Sequence, residues 1–156
     1  KIETYFLLVM EVVAATASHF ANDLEIGTRS KKLPFRVLSL TDNNPVITAI
    51  GNDFGYDQIF VKQLEAVFRK NDYLIAISAS GNSQNILKAV EYVKANNGTT
   101  IALTGFDGGK LKKISDYVIH VPTEKGDYGP VEDVHMILDH LIGTYLMQTC
   151  VEESKL

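Results

Sequence analysis

The chain has 156 residues, 46% of them hydrophobic and 22% charged, which is about one domain's worth at ordinary globular composition and excludes global disorder. Fifteen Lys and Arg stand against nineteen Asp and Glu, a net charge of −4 with no long basic run, so no nucleic-acid footprint is present. The longest apolar stretch, residues 5–17 with Glu11 inside it, falls short of the roughly 20 residues a bilayer-crossing helix needs.

Taken in order, residues 5–13 are rich in Leu and Val and read as a strand that runs almost directly into a helix over 14–24. A strand follows at 36–40, then the breaker Asp42-Asn43-Asn44-Pro45. Residues 57–68 carry Ile59, Phe60, Leu64, Val67 and Phe68 at helical period, and 73–78 form a third strand. The helix 84–95 shows Ile86, Leu87, Val90 and Val93 as its packing stripe, and a fourth strand spans 100–104. Residues 105–109 read as a turn that serves only to reverse the chain, before a strand at 117–121 and a breaker at 126–130. A last helix over 131–150 has Val134, Ile137, Leu138, Leu141, Ile142 and Tyr145 at spacings of three and four, a stripe broad enough to meet a partner helix. Strands alternating with helices predict an α/β fold with a parallel sheet. One cysteine, Cys150, cannot make an intrachain disulfide, and no secretory leader pattern opens the row, so a cytoplasmic protein is expected.

The stretch Leu74-Ile75-Ala76-Ile77-Ser78-Ala79-Ser80-Gly81-Asn82-Ser83 is a buried strand emptying into hydroxyls and a glycine before a helix starts. In open α/β sheets ligands dock at the carboxyl ends of strands, and a helix start there favours a phosphate. Ser78, Ser80 and Ser83 add hydroxyl donors, and Gly81 lets the backbone approach closely. Neither a Walker loop nor a GxGxxG fingerprint occurs. The competing reading is that Ser83 merely caps the helix and the other serines form a turn.

The run IAISASGNSQNILKAVEYVKANNGTTIALTGFDGGKL, preceded by TAIGNDFGYDQIFVKQLEA and followed by DYVIHVPTE and VEDVHMILDH, resembles the sugar isomerase (SIS) domain family, and within it the phosphoheptose isomerases, over residues 14–146. The resemblance implies a single SIS domain over 1–156, a three-layer αβα sandwich with a mainly parallel sheet. It also implies a homotetramer with sites between subunits and an activity interconverting sedoheptulose 7-phosphate and D-glycero-D-manno-heptose 7-phosphate through an enediol. It places the phosphate-binding loop on Ser78, Ala79, Ser80 and Ser83 and a sugar-contacting segment on Asn52 and Asp53.

His19 and Asp23 are four apart on one predicted helix and share a face, a spacing that suits a metal pair or an acid/base pair. Glu132 and His140 are eight apart on the last helix, about 80° around and ~12 Å along its axis, so they meet one ligand only by leaning together. The resemblance implies Zn²⁺ ligands at His19, Asp23, Glu132 and His140. It makes Asp23 the base and His140 the acid, with His19 and Glu132 orienting substrate or completing the metal shell. His135 and Asp139 form another such pair, read as a solvent-facing or intersubunit contact, and His120 is given no role.

Three departures stand out. The family's base is a glutamate where Asp23 is one methylene shorter, and its glutamine is Glu132 here. Its GNGGS-type loop is missing, since the sequence here reads Val9-Met10-Glu11-Val12-Val13-Ala14-Ala15. The expectation is that intervening residues are omitted and two segments joined, with the N-terminal part incomplete. Two other functions fit the same motifs: a non-catalytic module that binds phosphosugars or protein partners, and an isomerase of five- or six-carbon phosphosugars.

Overall fold

The computed structural model describes residues 5–10, 14–28 and 35–152. The break expected across residues 12–15 falls partly on residues 11–13, which lie outside the described residues. Five strands, β1 (Tyr5–Met10), β2 (Arg36–Ser39), β3 (Tyr73–Ser78), β4 (Thr99–Thr104) and β5 (Tyr117–His120), form one sheet in the order β2-β1-β3-β4-β5. Every neighbouring pair is parallel. Six α-helices accompany them: α1 (Ala14–Asn22), α2 (Asn44–Phe54), α3 (Val61–Val67), α4 (Gln84–Ala95), α5 (Leu111–Ile114) and α6 (Tyr128–Glu152).

A parallel strand at the centre of a sheet is covered on both faces and must be apolar on both, and β3 meets this with residues 74–78 all buried. Leu74 and Ala76 join the core that Phe60, Leu64, Ile86 and Val90 build beneath α3 and α4. Ile75 and Ile77 turn the other way, to Ala17, Phe20 and Leu24, with Ile142 and Leu146 of α6 against them. The molecule is therefore a three-layer αβα sandwich, as expected. From β1 the chain adds β2 on one side and then crosses to β3 on the other. Such a reversal opens a crevice at the carboxyl ends of the two diverging strands. β1 ends level with β3, Met10 opposite Ile77, so residues 78–83 start at that crevice.

Two breakers turn out to be helix starts. Asn43 Oδ1 accepts from the Val46 amide at 3.2 Å, and Pro45 sits in the first turn of α2, where a missing N–H costs nothing and the fixed φ favours the helix. Pro130 likewise lies in the first turn of α6, which begins at Tyr128. The helix expected over 57–68 is split into a 3₁₀ turn (Tyr56–Gln58) and α3. After α1 the ladder loosens into a π-helical turn at Asp23–Gly27.

Half of the broad stripe on α6 points outward: Ile137, Leu141 and Tyr145 are 54%, 60% and 64% exposed, whereas Ile142 packs against the core. Its inward face carries Val131, His135 and Asp139, all at most 1% exposed. This corrects the reading of His135 and Asp139 as solvent-facing or intersubunit, because the chain's own layers bury both.

Leu74 is fully buried, so Leu74→Ala is expected to cost about 2–5 kcal/mol. Asn43→Ala, which removes one cap, is expected to cost about 1 kcal/mol. Urea unfolding of both variants measures the difference, and equal losses would contradict the placement of Leu74 in the core.

Candidate active site

The serine loop leaves β3 as a tight turn. The Gly81 amide donates to Ser78 Oγ at 3.1 Å, and the Asn82 amide donates to Ser80 Oγ at 3.3 Å. Each hydroxyl so engaged as an acceptor keeps its own proton to give to an anion. Ser83 occupies the N-cap position of α4 but makes no side-chain capping bond; its hydroxyl lies 3.4 Å from that of Ser78. Its side chain is therefore not spent on the cap, which was the competing account of that serine. The first turn of α4 presents its N–H groups toward the same place.

The loop after β4 does more than reverse the chain. Its amides reach across to the serine loop: Gly105 N–H to Ala79 O at 2.9 Å, Lys110 N–H to Asn82 Oδ1 at 3.2 Å and Leu111 N–H to Gly81 O at 2.9 Å. Gly81 has φ 62°, and a Cβ there would stand 2.1 Å from Gly108 O. Only glycine serves at such a contact.

A second group forms where α1 meets α6. His19 Nε2 lies 3.1 Å from His140 Nε2 and 3.7 Å from Asp23 Oδ2, and the two imidazoles meet edge to face. Asp139 completes it: one ligand atom from each of His19, Asp23, Asp139 and His140 lies within 4.8 Å of all the others. Ligation at about 2.0–2.1 Å in a tetrahedral shell separates donors by roughly 3.3 Å, a value the two closest spacings bracket. The donor types and spacing therefore fit a metal ion. A pocket of about 270 Å³ opens beside it, lined by Asp23, Gly27, His140, Gly143, Thr144 and Met147.

Asp139 is fully buried, with both oxygens lacking a hydrogen-bond partner. Burial, reinforced by the Asp23 charge and opposed by His19 and His140, pushes its carboxyl up to about 6. One turn away, His135 is held down from its ordinary value of 6.5 by burial, against a raising hydrogen bond with the Thr104 backbone; its Nε2 has no partner. Thr104 Oγ1 also pairs with His120 Nδ1 at 3.1 Å.

Of the residues expected from sequence, the structure brings together Ser78, Ala79, Ser80 and Ser83 in one loop, and His19, Asp23 and His140 in one cluster. Glu132 is not in that cluster. It follows Val131, whose side chain packs on Gly105 beside Ala79, so it sits at the serine-loop end of α6, about 12 Å along the axis from His140. Asn52 and Asp53 lie exposed in the last turn of α2, where Asn52 Nδ2 donates to Asp53 Oδ1 at 2.7 Å. Asp139 and the loop at 105–109 were missed. The signal for Asp139 was its place four residues from His135 and beside His140, and for the loop its glycine content at the same sheet edge.

This architecture, a parallel αβα sandwich with a hydroxyl-lined loop at the switch point, defines a class of open α/β proteins with a crevice at the carboxyl ends of the strands. The chain belongs to the SIS domain family, which it matches over residues 36–138. It is 40% identical over 129 residues to a phosphoheptose isomerase of Helicobacter pylori (strain Shi470), covering 83% of this chain and 66% of that protein. It is 39% identical to one of Rhodospirillum rubrum, covering 83% and 68%. Among solved structures, the phosphoheptose isomerase of Neisseria gonorrhoeae superposes with a TM-score of 0.83 at 33% identity, covering 92% of this chain and 76% of that one. The chain thus spans just under two thirds of the length of the Helicobacter relative.

A buried neutral His135 has a pH signature. Its folded pKa lies below the unfolded value of 6.5, so the unfolded chain binds the extra proton as pH falls below that value, and stability present at neutral pH is lost. The melting temperature is expected to drop between pH 7.5 and 5 by more in wild type than in His135→Leu, the slope per proton being at most about 1.4 kcal/mol per pH unit. Parallel profiles would remove His135 as the cause.

Proposed function

We propose that this chain is the SIS domain of a cytoplasmic aldose–ketose isomerase that converts sedoheptulose 7-phosphate to D-glycero-D-manno-heptose 7-phosphate, with all 156 residues in one domain. The observation that carries the proposal is the meeting of His19 and Asp23 with His140, 121 residues away in sequence from His19, in a fold that also holds the serine loop. The names of the relatives in Helicobacter and Rhodospirillum, at 40% and 39% identity, support the choice of substrate.

In this reading Ser78, Ser80 and Ser83, with the backbone of Ala79 and the start of α4, hold the phosphate at C7. Asn52 and Asp53 contact the sugar hydroxyls, and Glu132, at the serine-loop end of α6, orients the bound chain. Asp23 takes the proton from C1 of the ketose while His140 protonates the C2 oxygen, giving the enediol. The C1 hydroxyl then loses its proton, C2 receives one, and the aldehyde forms at C1, so the proton count closes. A carboxylate and an imidazole suit these transfers near neutral pH. His19, Asp23 and His140 would hold Zn²⁺, which when bound polarises the carbonyl and stabilises the charge that develops on its oxygen.

Asp23→Asn is expected to lower turnover of sedoheptulose 7-phosphate by about 10²–10⁴, the usual share of one acid/base group, with the fold intact by circular dichroism. Ser80→Ala is expected to raise KM roughly tenfold, for the loss of about 1.4 kcal/mol of charged hydrogen bonding. Solvent-proton exchange into the sugar, followed by NMR, reads the first step directly. Exchange at the wild-type rate in Asp23→Asn would remove the assigned base.

The same proposal includes a homotetramer with sites between subunits, supported by the outward stripe of Ile137, Leu141 and Tyr145, each more than half exposed. Leu141→Glu is expected to yield a smaller species in light scattering after size exclusion. An unchanged mass would place the subunit contact elsewhere.

A further inference from the structure

Asp139 has no task in the reaction just described, yet among the described residues it is the one whose two buried side-chain oxygens both lack a hydrogen-bond partner. It is 0% exposed, and neither carboxylate oxygen has a hydrogen-bond partner, although an ionised carboxylate offers about four acceptor sites. A buried carboxylate in this state requires a counter-charge or a proton. Among the described residues the charged groups that act on Asp139 are His19, His140 and a second carboxylate, Asp23. The two imidazoles face one another through Nε2 at 3.1 Å, so in the neutral pair one Nε2 donates and the other accepts, and neither ring hydrogen-bonds to Asp139. Four donor atoms lie within 4.8 Å of one another, an arrangement that a single cation satisfies all at once.

We infer that Asp139 is a ligand of the divalent cation held by His19, Asp23 and His140, and that Glu132 is not. The shell is then two imidazoles and two carboxylates, which neutralises a 2+ ion and suits Zn²⁺, Co²⁺ or Mn²⁺. His19 on α1 and Asp23 at the start of the π-helical turn after it supply two donors, and Asp139 and His140, adjacent on α6, supply the other two, so the ion fastens α6 to the α1 segment. Glu132 stays near the serine loop, where its neighbour Val131 packs on Gly105. This inference rests on reading the cluster as a metal site, as the proposed function does, but not on the sugar or on turnover.

The test uses the full chain stripped with a chelator. Zn²⁺ affinity is measured by competition with a chromophoric chelator, Co²⁺ coordination by visible absorption, and melting with and without Zn²⁺. Asp139→Asn is expected to weaken Zn²⁺ binding at least tenfold, change the Co²⁺ bands and lose most of the Zn²⁺-dependent rise in melting temperature. Its metal-free form should melt no lower than wild type, since an amide of the same shape replaces an unpaired charge. Asp139→Ala, which removes every donor, carries the same expectation for metal. Glu132→Gln should keep its Zn²⁺ affinity within twofold.

Wild-type affinity and Co²⁺ spectrum in both Asp139 variants, with binding lost in His19→Ala, would overturn the inference and leave the metal site. An equal loss in Glu132→Gln would overturn it too. Absence of Zn²⁺ binding by wild type would overturn both the inference and the metal reading. Metal binding as described without isomerisation would support the inference and sink the isomerase alone.

Discussion

The carboxyl edge of the sheet is held in shape by a backbone contact that admits no side chain. A Cβ on Gly81 would lie 2.1 Å from Gly108 O, and one on Gly109 would lie 2.5 Å from Ser80 O. Because the two loops touch at this distance, three amides from the β4 loop can reach the serine loop, and the hydroxyls of Ser78 and Ser80 are set by hydrogen bonds rather than left to rotate. The same edge continues into α6. Gly105 lies against Val131, where a Cβ would meet both methyls at 2.6 Å, and the Phe106 and Tyr128 rings stack edge to face with centroids 5.0 Å apart. The close approach at the glycines thereby anchors the start of α6 to the mouth of the crevice.

Once its start is anchored, the rotation of α6 about its axis decides which residues meet α1. The inward face holds Val131, His135 and Asp139, with Ile142 and Leu146 partly buried below. Two of these five are polar, an expensive composition for the inside of a helix unless the polar groups act. His135 is partly satisfied through Thr104, which joins it to His120 across the ends of β4 and β5. Asp139 has no hydrogen-bond partner among the described residues, and it lies beside His19, Asp23 and His140. The unsatisfied carboxylate and the converging donors are one arrangement.

Asp23 stands where the resembled family carries a glutamate, and it opens the π-helical turn after α1. A π turn inserts one residue and re-aims the side chains at its start, a device found at functional sites. The shorter side chain and the altered backbone occur at the same residue, and its carboxylate still reaches the cluster, 3.7 Å from His19 Nε2. Gly143 of α6 sits opposite, where a Cβ would come within 3.6 Å of Asp23 Cβ, so the two helices approach closely at the acid.

Period and local chemistry alone made a parallel sheet covered by helices legible, because strands of four to six residues alternate with helical stripes; the three-layer form came from the family resemblance. The order strand, SxSGxS, helix located the loop at the switch point for the same reason: each part is a signal carried by neighbouring residues. Proline misled at two places, since Pro45 and Pro130 break a helix interior but start one in its first turn, and only the backbone direction distinguishes the cases. What the sequence by itself determined was the set of elements and the residue types at the crevice. What only the tertiary structure decided was which face of α6 turns inward, and hence that Asp139 rather than Glu132 stands with His19, Asp23 and His140. The reason is that a helix with apolar residues around most of its circumference has no preferred rotation of its own, and takes the one its close contact at Gly105 imposes.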